Sequence, residues 1–145
     1  MTDPFDIATA PGHLIRRAQQ ISVAIFNGHL ACADVTPVQF AILNALMDTP
    51  GIDQVTLAKG VAFDPATSGS VIGRLESKGW VERRPDEADR RRKLLVLTPK
   101  GLQALVGMQA AVVAVQEKIL QPLSAQEQTQ FMDLLTRLVL GHEAD

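Results

Sequence analysis

The residues of this chain that could do chemistry are concentrated in three short polar sets. Arg90, Arg91, Arg92 and Lys93 stand side by side, with only Asp86, Glu87 and Asp89 nearby to pair with them. Guanidinium groups present planar forks of donors that match phosphates and base edges, so a crowded set on a turn is suited to a polyanion. Asp64-Pro65 precedes Thr67-Ser68-Gly69-Ser70. An N-capping carboxylate followed by a proline that forfeits an orphan N–H marks the start of a helix. Its first turns then carry three hydroxyls and nothing bulky. Thr67 and Ser70, three apart, share the outward face and suit hydrogen bonds to bases or phosphates. The third set is His13, Arg16, Arg17 and Gln20, a polar stripe along one side of an N-terminal helix. An arginine fork captures a carboxylate bidentately, and Ile21, Phe40 and Leu43 could wall such a site.

Other chemistries lack their residues. His13, His29 and His142 have no metal-ligand spacing, so no metal and no cofactor are expected. There is no glycine-rich phosphate loop, nucleophile elbow or carboxylate pair in an apolar setting, so the chain does not read as an enzyme. The lone cysteine, Cys32, excludes an internal disulfide framework and fits a reducing compartment. A sensor thiol needs a neighbouring cation or a helix N-terminus. Cys32 lies near a helix C-terminus beside Asp34 and reads as a packing residue, with a redox-responsive role as an alternative.

Net charge hides the polyanion signal and its distribution reveals it. The chain carries a formal −2, yet Arg74 to Lys100 holds nine Lys and Arg against five Asp and Glu. The remainder holds five against eleven. Polyanions respond to such a patch rather than to the total. With 145 residues, 46% apolar, a single domain spanning 1–145 with a sizeable core is expected. No run of eighteen apolar residues suggests a membrane span and the first residues show no signal-peptide pattern, so a soluble cytoplasmic protein is expected.

The elements that must position these sets are punctuated clearly. Thr36-Pro37-Val38-Gln39 and Ser124-Ala125-Gln126-Glu127 are capping boxes; Asp53 caps a short helix; Thr98-Pro99 repeats the cap-then-proline device of Asp64-Pro65. Apolar residues recur at three and four between these marks, which predicts six helices over about 12–33, 37–48, 54–60, 65–78, 99–120 and 125–141. Residues 80–84 and 93–97 break that period as two short β-prone runs around a polar tip, a hairpin. The order of helix, short helix, longer helix and hairpin is a winged helix-turn-helix: mainly α with a small β-hairpin wing. A DNA-binding lobe over about 37–98 and dimerisation helices over about 12–33 and 99–141 follow.

Residues 64–101 resemble the DNA-binding core of the MarR (multiple antibiotic resistance regulator) family. The matching stretches are Asp64-Pro65-Ala66-Thr67, Arg74-Leu75-Glu76-Ser77-Lys78-Gly79-Trp80-Val81, Asp89-Arg90-Arg91 and Leu95-Val96-Leu97-Thr98-Pro99-Lys100-Gly101, and Gln54-Val55-Thr56-Leu57-Ala58 agrees with the preceding helix. The resemblance implies a transcriptional regulator that binds a pseudo-palindromic operator as an intertwined homodimer. Thr67, Gly69 and Ser70, with Ser68 beside them, would meet the major groove. Arg91 would enter the minor groove, oriented by Asp89 and flanked by Arg90 and Arg92. Arg74 would pair with the wing or reach a phosphate. Members often carry an Arg or another long polar residue where Ser70 stands and Ser where Gly69 stands, which shifts weight from base readout towards shape and wing contacts. The resemblance also implies release from DNA by a small aromatic acid. The opening Gly12-His13-Leu14-Ile15-Arg16-Arg17 is similar to that of members controlling aromatic catabolic genes, which implies an aromatic or heteroaromatic acid or its coenzyme-A thioester. The alternative from the residues alone is a winged-helix module whose basic hairpin docks an acidic protein.

Overall fold

A computed structural model describes residues 4–61 and 65–143. These divide into two compact units, Phe26–Val112 and residues 1–25 together with 113–145. The division cuts two helices. Helix α1 (Pro11–Leu30) and helix α5 (Pro99–Leu120) each contribute to both units.

The unit Phe26–Val112 holds α2 (Pro37–Asp48), β1 (Ile52–Asp53), α3 (Gln54–Gly60), α4 (Pro65–Ser77), β2 (Val81–Pro85) and β3 (Lys93–Leu97). The expected caps are present. Thr36 Oγ1 accepts from the Gln39 N–H at 3.1 Å while Gln39 Oε1 accepts from the Thr36 N–H at 3.2 Å. Asp53 accepts from the Thr56 N–H at 3.1 Å, and Thr98 Oγ1 accepts from the Gly101 N–H at 3.0 Å. Asp64, the expected cap of α4, lies outside the described residues. The first helix stops short of its expected end. Residues Ala31–Ala33 form a 3-10 turn closed by Asp34 at φ 52°.

The hairpin forms as expected, with Arg83 opposite Leu95, but it belongs to a larger sheet. The two-residue strand β1 pairs with β3, Ile52 opposite Leu95, so β3 is the centre of three antiparallel strands. The core is built where the helical periods coincide: Ile42, Leu43 and Leu46 on α2, Leu57 on α3, Ile72 and Leu75 on α4, Leu95 on β3 and Leu105 on α5 are all buried. Leu43, expected as a ligand-pocket wall, is fully enclosed in this core and is corrected to a structural residue.

Where α4 ends, Gly79 at φ 78° lets the Trp80 N–H reach the Leu75 carbonyl (3.1 Å) and the Gly79 N–H reach the Glu76 carbonyl (2.9 Å). These bonds absorb carbonyls the helix leaves open. The turn is locked to α5. The Thr98 hydroxyl donates to the Gly79 carbonyl at 2.6 Å, and the Thr98 N–H donates to the Trp80 carbonyl at 3.0 Å. Gly101 lies against that same peptide, so that a Cβ there would sit 2.1 Å from the Trp80 carbonyl oxygen. The Thr-Pro-Lys-Gly stretch is thus a steric requirement of the junction.

The second unit contains residues 11–25 of α1, residues 113–120 of α5 and helix α6 (Ala125–Glu143). The Ser124 capping box forms, with the Glu127 N–H donating to Ser124 Oγ (3.2 Å) and the Ser124 N–H to Glu127 Oε1 (2.8 Å). The Ser124 N–H, and after it the Ser124 hydroxyl, hold the Glu127 carboxyl below its usual range. Within this unit Leu14, Ile21, Val113, Phe131, Leu134 and Leu138 are exposed, and α6 buries none of its described residues. No single helix among the described residues is long and apolar enough to cross a membrane.

Gly101→Ala is expected to push α5 off the Trp80 peptide and destabilise the protein by about 1–3 kcal/mol, the usual cost of overpacking. Gly73→Ala, in the interior of α4 with nothing within 4 Å of a new Cβ, is expected to be neutral or stabilising by up to about 1 kcal/mol. Denaturant unfolding of the two variants checks the contrast.

Candidate nucleic-acid interface

Helix α4 turns different residues to opposite sides because each step rotates the side chain by about 100°. Ile72 and Leu75 face the core, and Ser68 joins them at 1% exposure. Thr67, Ser70 and Arg74, at offsets of three and seven, are exposed together. The expected set at the start of α4 is therefore corrected. Ser68 is buried within the lobe and cannot reach a duplex. Gly69 is half-buried, with Gln54 Nε2 of α3 3.5 Å from where its Cβ would be. Its carbonyl accepts from the Arg83 guanidinium at 3.1 Å.

That bond identifies a residue sequence reasoning missed. Arg83 on β2 ties the hairpin to α4, since its Nε also lies 2.8 Å from Glu76 Oε1. The Nε is buried and not aligned for a hydrogen bond, so the contact with Glu76 is an ion pair held by proximity. The expected pairing of Arg74 with the wing does not occur. Arg74 makes no ion pair among the described residues, and Arg83 occupies the role. Arg74 instead borders a groove of about 420 Å³ with Asp34, Thr36, Gln39, Ser77 and Lys78. Lys78 is spoken for there: its ammonium donates to the Asp34 carbonyl, lies 3.7 Å from the Asp34 carboxylate and sits 4.5 Å over the Trp80 ring.

The wing tip is ordered by its own carboxylates. The Ala88 N–H donates to Asp86 Oδ1 at 2.9 Å, and the Arg91 N–H donates to Asp89 Oδ1 at 3.1 Å. The same Asp89 oxygen accepts from Arg91 Nε at 3.2 Å, while the Arg91 side chain is 93% exposed. An exposed pair of this kind is worth at most about 1 kcal/mol, so Asp89 aims the guanidinium without withholding it from a stronger acceptor. Arg90 is exposed and makes no ion pair among the described residues. Arg92, grouped with these two by its place in the run, behaves differently. Its guanidinium donates to Asp53 at 3.1 Å and lies 3.6 Å from Asp86. Two of the three expected wing arginines are thus presented outward and the third is turned to the lobe.

Helices and wing meet around one cleft of about 200 Å³, lined by Asp53, Gln54 and Val55 from the start of α3, Ser68 from α4, and Arg91 and Lys93 from the wing. The start of α3 and the wing therefore border this cleft together, while α4 reaches it only through the inward-facing Ser68.

The expected acid-capturing set lies on α1. Arg16 is 3.1 Å from His13 Nδ1, and Arg17 donates to Gln20 Oε1 at 2.7 Å. Arg16, Arg17 and Gln20 are exposed. Of the expected walls, Ile21 is exposed, Leu43 is enclosed in the lobe, and Phe40 packs on Phe26 with ring centroids 6.4 Å apart. The packing expectation for Cys32 is corrected. Its thiol is exposed, because the 3-10 turn after Leu30 swings it off the buried stripe that Phe26 and Leu30 form. No group of three His, Cys, Asp or Glu among the described residues could hold a metal ion.

Comparisons with known proteins place this geometry. The model of the MarR family matches residues 33–92. The transcriptional regulator HosA of Escherichia coli O127:H6 is 35% identical over 127 residues, which is 88% of this chain and 93% of HosA. The HTH-type transcriptional repressor NicR of Pseudomonas putida is 32% identical over 140 residues, 97% of this chain and 89% of NicR. Among solved structures, the PcaV transcriptional regulator of Streptomyces coelicolor in complex with its natural ligand superposes with a TM-score of 0.87 at 37% identity, covering 95% of this chain and 97% of PcaV. Bordetella bronchiseptica BpsR, whose DNA binding is regulated by 6-hydroxynicotinic acid, superposes at 0.89 and 32% identity, covering 94% and 98%.

The Asp53 carboxyl titrates far from its ordinary range. Hydrogen bonds from the Thr56 hydroxyl (2.5 Å) and N–H (3.1 Å) lower it from 3.8 to about 2, with a smaller contribution from Arg92 and some opposition from burial. A carboxyl depressed in the folded state adds stability that is complete above its unfolded value of 3.8 and lost as pH falls through about 2. The stability difference between the wild type and Asp53→Asn should therefore be constant near neutrality and shrink between pH 4 and 2, as read by denaturant unfolding across that range.

Proposed function

Because this chain belongs to the MarR family of transcriptional regulators, we propose that it acts as a homodimeric repressor. It would be released from a pseudo-palindromic operator by a small aromatic or heteroaromatic acid or its coenzyme-A thioester. The observation that carries the DNA-binding part is the tie of Arg83 from β2 to Gly69 and Glu76 of α4, a helix whose Thr67, Ser70 and Arg74 are exposed, in a lobe whose wing leaves Arg90 and Arg91 open to solvent. A recognition helix in a major groove and an arginine tip in the neighbouring minor groove use that arrangement directly. The chain would do this in the cytoplasm, where the duplex is.

Dimerisation is supported by the apolar residues that the second unit leaves open on α1, α5 and α6. Covering such area with a second copy gains about 25 cal/mol per Å² before ordering costs. Two copies related by a two-fold axis present two helices and two wings, matching half-sites about one helical turn apart. The effector assignment draws on NicR, a repressor, and on PcaV and BpsR with their small-molecule ligands. Within this chain it draws on His13, Arg16, Arg17 and Gln20, whose donors suit a carboxylate. An effector acts by favouring the dimer conformations whose lobes do not match the operator, a shift of population.

Arg91→Ala is expected to abolish operator binding in a mobility-shift titration while the dimer persists in analytical ultracentrifugation; wild-type affinity at physiological salt would overturn the wing assignment. Arg16→Ala and Arg17→Ala are each expected to bind operator normally and to need at least about tenfold more aromatic acid for release. A normal ligand response in both would remove the α1 site. Steep loss of binding to random duplex with added salt separates this function from a module that docks acidic proteins.

A further inference from the structure

We propose that Arg92 is a positioning residue of the wing, gripped between Asp53 at the cap of α3 and Asp86 at the root of the turn, and that this grip sets where Arg90 and Arg91 stand relative to α4. The proposal rests on the DNA-binding reading above and names a part of that site which touches no DNA.

The wing needs such a device because its sheet support runs out. β1 contributes only Ile52 and Asp53, which pair with Leu95 and Leu94, so beyond Lys93 the hairpin has no neighbouring strand. A two-stranded ribbon of this kind is pliant in water. The guanidinium of Arg92 spans the gap to the residue that ends β1, a contact between positions 39 apart in sequence. Asp53 and Asp86 are 15% and 17% exposed while the Arg92 side chain is 53% exposed, so the grip depends on two carboxylates held in place by the fold rather than on burial of the cation. The backbone of Arg92 closes the same turn. Its carbonyl accepts from the Asp86 N–H at 3.1 Å, and its N–H donates to the Asp89 carbonyl at 2.9 Å. Asp89 in turn holds the N–H and Nε of Arg91. A continuous path of bonds thus runs from the α3 cap through Arg92 and Asp89 to Arg91. Planarity matters, since a guanidinium can address Asp53 and Asp86 from two nitrogens in fixed directions, which an ammonium cannot.

The test exploits the double role of Asp53. Asparagine caps helices about as well as aspartate, so Asp53→Asn can keep the capping bond from the Thr56 N–H, at the cost of the second acceptor that takes the Thr56 hydroxyl, while removing the charge that holds Arg92. Asp53→Asn also removes a negative charge beside the duplex, which by itself favours DNA. The two accounts of Arg92 therefore predict opposite signs. As a positioning residue, Arg92 loses its grip, and operator affinity falls by about three- to tenfold despite the gain in positive charge. As a direct DNA contact, Arg92 is freed, and affinity stays or rises. Arg92→Lys, which keeps the charge, is expected to bind as weakly as Arg92→Ala, and in both the slope of log affinity against log salt should stay at the wild-type value. A phosphate contact would lower that slope by about one in Arg92→Ala.

Hydrogen exchange of the free protein supplies a readout that needs no DNA. The amides of residues 86–92 should exchange faster in Asp53→Asn and in Arg92→Lys, while amides of the lobe core keep their protection. Tighter or unchanged operator binding by Asp53→Asn, full activity of Arg92→Lys, or a reduced salt slope in Arg92→Ala overturns the proposal. Unchanged wing exchange in both variants overturns it as well. Failure of the wild type to bind any duplex would instead bring down the proposed function, and the exchange measurement would still decide whether the grip exists.

Discussion

The segment from α3 through α4 is a loop whose two ends are fastened to the same strand. β1 precedes it and β2 follows it, and β3 hydrogen-bonds to both, with Leu95 opposite Ile52 on one side and Arg83 on the other. Leu95 is completely buried, so β3 cannot shift its register by one residue without turning that side chain to water. Every placement that matters to the interface is referred to this strand. Arg83 reaches from β2 to the Gly69 carbonyl of α4, the wing continues β3 outward, and the Thr98 cap following β3 sets α5 against Trp80. Both ends of that segment are thus referred to one strand.

Within that frame, the division of labour across the interface follows from side-chain reach. The exposed face of α4 offers Thr67 and Ser70, short hydroxyls with at most one donor each, and Arg74 half a helix further along. Strong discrimination between bases comes from bidentate Arg, Asn or Gln contacts in the major groove, and the first turns of α4 present none of these among the described residues. Under the proposed function, affinity then rests on phosphate contacts and on wing arginines that read groove width and charge. The long departure from a two-carboxylate grip to an exposed Arg91 is consistent with a site in which position is set by protein bonds before DNA arrives.

Much of this architecture was legible because it is encoded locally. Capping boxes at Thr36 and Ser124, the caps at Asp53 and Thr98, and the three-and-four spacing of Ile42, Leu43 and Leu46 all report on residues within one turn of each other. What was not legible is encoded at long range. β1 is two residues with no period to detect, and it exists only because β3 is there to pair with it. The run Arg90 to Lys93 looks uniform in sequence, whereas the structure separates Arg92 from its neighbours through a carboxylate 39 residues away. Ser68 shares its chemistry with Thr67 and Ser70 and differs only in facing inward, a consequence of the helical rotation that a list of polar residue types does not express. Arg83, set between Glu82 and Arg84 on a charged strand, gave no local sign that it reaches α4.

The same limit applies, at a larger scale, to the apolar helices. Phe131, Leu134 and Leu138 on α6 recur at three and four, the helical separations that also relate Leu43 and Ile42 to Leu46 on α2. Yet the α2 residues are sealed and α6 buries nothing among its described residues. Periodicity reports that a helix face is apolar; it does not report whether the cover comes from the same chain or another. Monomeric proteins rarely leave contiguous apolar surface of this kind in water. Under the proposed function a second copy supplies that cover, because a two-fold axis lets the same face cover itself.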